Sequence, residues 1–216
     1  MLQNAKALLA RVQNVAKGAA LMTDTTVTWR QIDGTASTVS NTVIEDVLHA
    51  NMLAAPLPQY TEDEIVYAKQ LRATYDTSKL PGSQTYENMK VKKFVLEATD
   101  GGTKPINDFV MPHTPCNPFS PGSTDVGDVS WLTPTAQFNA ATWPSGSPGH
   151  SWQNVSCGKT SISHKGLLYA AKVLAGAAAD LMENAQILKD ARAEFEIAAA
   201  EGYDCPISAD LIPLPQ

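Results

Sequence analysis

The 216-residue sequence predicts an α/β fold, and three observations carry that prediction. Long stretches place apolar residues at steps of three and four, the period of an amphipathic helix. Shorter β-branched and aromatic stretches alternate and end on turn residues, which is the signature of a strand. Proline and glycine separate the two kinds of segment throughout.

The first helix is expected over Ala5 to Ala19, where Leu8, Leu9, Val12, Val15 and Ala16 share one stripe and Gly18 sits near its end. Thr26 to Ile32 follows as a strand, with Val27 and Trp29 alternating against Thr28 and Arg30 before Asp33 and Gly34 close it. Thr42 with Glu45 and Thr61 with Glu64 then have the spacing of capping boxes, in which side chains satisfy first-turn amides left without helical partners. Pro56 and Pro58 stop the first of these two helices, because proline has no amide proton to donate. From Lys79 to Pro121 repeated prolines and glycines leave room for one helix around Tyr86 to Glu97. Trp131 to Trp143 reads as a short strand or two leading into the Ser145 to Gly149 turn. The widest apolar face runs from Lys165 to Met182, and a further helix over Ile187 to Ala200 precedes a proline-bearing tail.

Composition narrows the possible partners. A formal charge of -6 with no basic run argues against nucleic acid, whose phosphates require clustered Lys and Arg. No apolar run has the length of a signal peptide or membrane span, so a cytoplasmic chain without membrane contact is expected. Three widely spaced cysteines, Cys116, Cys157 and Cys205, suit buried reduced thiols better than a disulfide framework.

The densest polar constellation is GSTDVGDVSW at 122–131, in which Asp125 and Asp128 stand three residues apart. In a helix the two carboxylates share a face, and in a strand they point to opposite sides. They line a ligand site or else accept local backbone amides in a turn. His150 leaves a glycine and proline turn, a place suited to metal binding through a neutral imidazole nitrogen, although surface histidines are also common there. His164 enters the strongest helix, facing a ligand or serving as an ordinary first-turn residue. His113 and Cys116 have a metal-pair spacing without a second pair, and His49 on a helix reads as structural. Phosphate loops, GxSxG elbows and HExxH helices are absent from the sequence.

GSTDVGDVSW at 122–131 with Pro134 and Thr135, GHSW at 149–152, SISHKGLL at 161–168 and AKGAALM at 16–22 together resemble metal-dependent amidohydrolases of the aminoacylase and glutamate-carboxypeptidase type. Within these, the resemblance is to the aminobenzoyl-glutamate hydrolase group. It implies a zinc-exopeptidase-like catalytic domain, a mixed sheet flanked by helices. Residues 1–38 would be a helix-and-strand remnant of the lid or dimerisation domain, and residues 39–216 the C-terminal portion of the catalytic domain. The implied reaction is hydrolysis of an N-acyl or p-aminobenzoyl amino acid amide such as p-aminobenzoyl-glutamate, with zinc or manganese as cofactor.

By the same resemblance His150 matches a metal ligand and Asp125 an acidic position lining the active site, with Asp128 and His164 as further candidates to bind substrate or support the ligands. The family's other metal ligands and its general base have no counterpart in the sequence. The expectation is therefore a chain inactive by itself, a homodimer or half of a complemented pair. The alternative is a non-catalytic α/β oligomerisation or interaction module.

Overall fold

The computed structural model describes residues 2–77, 89–114, 122, 124–207 and 210–211, and these form eight helices with no strand among them. In chain order they are α1 (Leu2–Met22), α2 (Thr42–Ala54), α3 (Glu62–Arg72), α4 (Met89–Ala98), α5 (Val126–Ser130), α6 (Trp152–Cys157), α7 (Ser161–Glu183) and α8 (Ala185–Ala198).

The α/β expectation and its mixed sheet are thus overturned by an all-helical structure. The physical reason lies in pairing. A β-branched run becomes a strand only when a neighbour takes up its backbone groups. Thr26 to Ile32 forms no strand among the described residues; it is irregular, with Trp29 47% and Ile32 65% exposed. Trp131 to Trp143 is likewise irregular after α5, and two prolines at its ends, Pro134 and Pro144, remove amide donors. The helical expectations fare better, because their signals are local. The Thr61 hydroxyl accepts from the Glu64 amide while Glu64 accepts from the Thr61 amide, a complete capping box at the start of α3. Cys116 and the stretch 78–88 lie outside the described residues.

The chain divides into two compact units. Unit 1 comprises Met1–Asn41, Pro121–Thr135 and Arg192–Gln216. Its segments are joined by polar contacts: the Lys6 ammonium pairs with Asp204 at 2.7 Å, and the Gln31 amide donates to the Pro206 carbonyl at 2.7 Å. Gly127 is required where α5 meets the first segment, since a Cβ there would lie 2.2 Å from the Ala36 carbonyl oxygen.

Unit 2 comprises Thr42–Ser120 and Ala136–Ala191. One core gathers Ala68 and Leu71 of α3 with Ile106, Cys157 and Ile162, and Tyr60 and Tyr75 pack against it. A second forms where α2 crosses α7, from Leu48, Tyr169, Val173 and Ala177. The Tyr169 hydroxyl donates to the Met52 carbonyl at 2.7 Å, and Asn51 donates to Asp180 at 2.6 Å. The crossing is close because Gly176 has no side chain; a Cβ there would meet the Asn51 oxygen at 2.0 Å. Gly166 has the same role nearer the start of α7, where a Cβ would meet the Ala141 carbonyl at 2.1 Å.

Candidate functional site

In unit 2 the turn at 144–151 is fixed from both sides. The Ser145 amide donates to the Pro105 carbonyl at 2.8 Å, and the Tyr75 hydroxyl donates to the Ser145 carbonyl at 3.1 Å. Further along, the Ser147 hydroxyl donates to Asn154 at 2.7 Å. Ser151 caps α6 by accepting from the Asn154 amide while its own hydroxyl donates to the Pro148 carbonyl at 2.6 Å. Between these anchors His150 takes φ 52°, in the left-handed region, with its side chain exposed. Among the described residues its ring has no hydrogen-bond partner.

That conformation is notable for its location. Two other non-glycine residues with positive φ, Asp24 and Asp100, follow the ends of α1 and α4, where left-handed residues routinely terminate helices. His150 precedes a helix start, where no such terminating role exists. His150 is therefore a left-handed residue off helix ends, with an unengaged imidazole on a braced turn.

His164 lies in the first turn of α7, exposed, its amide donating to the Thr160 carbonyl at 3.1 Å. The Thr160 hydroxyl caps that turn by accepting from the Ser163 amide. The base of α7 is tied to α3 through Glu64, a buried carboxylate that accepts from Lys165 at 2.7 Å, from Thr61 at 2.6 Å and from Ser161. Burial alone would raise the Glu64 carboxyl; the three donors outweigh it and hold the group down at about 2. The capping-box spacing located Glu64, but its link to Lys165, 101 residues away, carried no sequence signal.

Asp125 and Asp128 belong to unit 1. Asp125 stands at the N-cap of α5, exposed and without a side-chain cap bond. Asp128 is engaged: it accepts from the Ala36 amide at 3.2 Å and from the Tyr203 hydroxyl at 2.8 Å. Hydrogen bonds to Cys205 and Asp128, then burial, push the Tyr203 phenol above its ordinary range. A cavity of about 250 Å³ lies in this unit, lined by Gln3, Ala36, Ser37, Trp131, Tyr203 and Asp204 among others. Two of the sequence-predicted residues thus share unit 1 and two share unit 2.

The resemblance leads one to expect zinc or manganese. Among the described residues no three His, Cys, Asp or Glu side chains converge closely enough to hold a metal ion. His113 is occupied instead, Nδ1 2.9 Å from Asp46 and Nε2 3.1 Å from Glu45, and His49 hydrogen-bonds the Met111 carbonyl at 3.0 Å. Cys157 is buried and free, its thiol pushed up by burial, whereas Cys205 is free and exposed, contrary to the expectation of buried thiols. No helix among the described residues is long and apolar enough to cross a membrane.

Over 95% of its length the chain aligns with the B subunit of p-aminobenzoyl-glutamate hydrolase from Escherichia coli (strain K12). Identity is 35% across 212 residues, which establishes the relationship, and the chain spans 43% of that relative. No family model matches the chain, and no solved structure matches it. The aligned stretch takes in all four residues singled out above, or nearly the whole chain, so the likeness is not confined to one motif.

Proposed function

We propose that this chain is a component of an amide hydrolase acting on p-aminobenzoyl-glutamate or a related N-acyl amino acid, and that His150 is the residue it contributes to the reacting centre. The single observation that carries the reading is the agreement of two independent facts. The chain is 35% identical to a p-aminobenzoyl-glutamate hydrolase subunit, and its GHSW segment holds an unpartnered imidazole out on a strained, braced turn. The placement of that hydrolase within the metal-dependent amidohydrolases belongs to the same proposal.

His150 offers a ring nitrogen lone pair to a cation or to a proton. The turn orients it, and the Ser151 cap and the Ser147–Asn154 bond keep it from collapsing onto α6. The remaining acid, base and ligand groups come from the part of the hydrolase that the alignment does not span. Asp128 positions the Ala36 and Tyr203 segments, and its carboxylate is engaged in doing so.

The test is hydrolysis of p-aminobenzoyl-glutamate by the purified chain in the presence of zinc or manganese, followed by the same assay with a polypeptide comprising that part added. The chain alone gives no turnover, and turnover in the complemented mixture is lost in His150→Ala. Turnover by the chain alone that survives His150→Ala overturns the proposal.

A further inference from the structure

The sequence contains two Asp-Gly pairs, Asp33–Gly34 and Asp100–Gly101. In such a pair a side-chain carboxyl and the next backbone nitrogen meet with little obstruction, because glycine has no Cβ to shield its amide. The structure holds the two pairs differently. At Asp100, which follows α4, the Gly101 amide donates to the Leu96 carbonyl at 2.8 Å. The Gly102 and Lys104 amides both donate to the Thr99 carbonyl at 3.0 Å, so that turn is tied three times and the Gly101 nitrogen is committed to the end of the helix. At Asp33 the Gly34 amide donates instead to the Asp33 carboxylate itself, at 2.7 Å. Asp33 is exposed and lies in an irregular segment, where water reaches it.

We propose that Asp33–Gly34 is a self-modification site, at which Asp33 is converted to isoaspartate through a succinimide. The Gly34 nitrogen bonds to the Asp33 side-chain carboxyl carbon, which lies one bond beyond the oxygen that the amide already touches. The carboxyl's carbon–hydroxyl bond breaks, and the hydroxyl leaves with the amide proton as water. Water then adds back to the ring. Opening at the side-chain carbonyl restores Asp33, and opening at the main-chain carbonyl leaves the chain running through the side-chain carboxyl. One water is lost and one regained, with nothing oxidised or reduced. Reacting groups held together gain rate over the same groups free to rotate apart, and here the hydrogen bond holds them. Asp33 also lies between two contacts with Pro206: the Gln31 amide donates to its carbonyl at 2.7 Å, and a Cβ on Gly34 would stand 2.8 Å from its Cβ. Isoaspartate adds one carbon to the backbone between those contacts and changes their spacing. None of this depends on the hydrolase reading.

The full chain is aged at neutral pH in water enriched in oxygen-18, because each passage through the succinimide leaves one heavy oxygen behind. Proteolysis and electron-transfer fragmentation then locate the label and distinguish the two linkages. In the folded chain, label and isoaspartate accumulate at Asp33 about tenfold faster than at Asp100. In guanidinium chloride, where neither pair is held, the two sites react at similar rates. Asp33→Glu, whose ring would be one atom larger, keeps the parental circular dichroism and takes up no label at that position. A folded-state ratio no greater than the ratio in guanidinium overturns the inference, as does a folded chain in which Asp33 stays unlabelled while Asp100 is labelled.

Discussion

Replacing Glu64 with Gln should lower stability by about 2 kcal/mol at neutral pH, and the loss should disappear in acid. The folded carboxyl titrates at about 2 against an ordinary 4.5. At roughly 1.4 kcal/mol for each tenfold change in proton affinity, that difference bounds the charged form's contribution at about 3.5 kcal/mol. The Lys165 side chain is 29% exposed, and water at that end of the pair screens it, bringing the expectation to about 2 kcal/mol. Because the folded value is depressed, the contribution is fully present above pH 4.5 and is lost as pH falls toward 2; more than half is gone by about pH 3. Urea unfolding followed by circular dichroism, for the parent and Glu64→Gln at pH 7 and pH 3, measures both numbers. A difference that stays the same at the two pH values would show that Glu64 acts through packing and the capping box, and would refute the ion-pair reasoning.

Gly166→Ala raises helix propensity by about 1 kcal/mol yet should destabilise the chain by about 2 kcal/mol or more, because the new methyl group meets a backbone carbonyl that cannot swing away. Thermal unfolding decides it, and an increase in midpoint would show that the Ala141 segment yields. At His150 the order of stability should be Gly above His above Val. Relief of the left-handed strain exceeds glycine's unfolded-state entropy by about 0.5 kcal/mol, whereas a β-branched residue there costs about 1 kcal/mol or more. The same urea titration reports it, and Val equal to His would mean that the turn is not strained.

What could be read from the sequence was what is local. The capping box at Thr61 and Glu64, the apolar stripes of α1 and α7, and the proline stops between elements all depend on residues within a turn or two of one another. The strands failed for the opposite reason. Val27, Trp29 and Ile32 have the residue types of a strand, but a strand is made by its neighbour, and no sheet forms among the described residues. At the candidate site the sequence placed His150 at the exit of a glycine and proline turn, where the structure has it, while the short helix α6 after it and its left-handed backbone left no trace in residue type. Asp128 shows the same limit. Its partners are 92 and 75 residues away in the chain, so its engagement by Ala36 and Tyr203 could not be foreseen from the GSTDVGDVSW motif. Gly166 and Gly176 look like helix-weakening residues in a propensity table, and only the close approach of Ala141 and Asn51 explains them.

Unit 1 draws on three separate segments of the sequence, and the Asp128 carboxylate binds groups from the other two. On the ribosome this has an ordering effect, since synthesis proceeds at about 5 to 20 residues per second and compact regions form as they emerge. The stretch from Thr42 to Ala191, which contains all of unit 2, is out of the exit tunnel before Tyr203 is free to reach Asp128. Met1–Asn41 and Pro121–Thr135 are therefore made well before Arg192–Gln216 supplies Tyr203 to Asp128 and unit 1 can close.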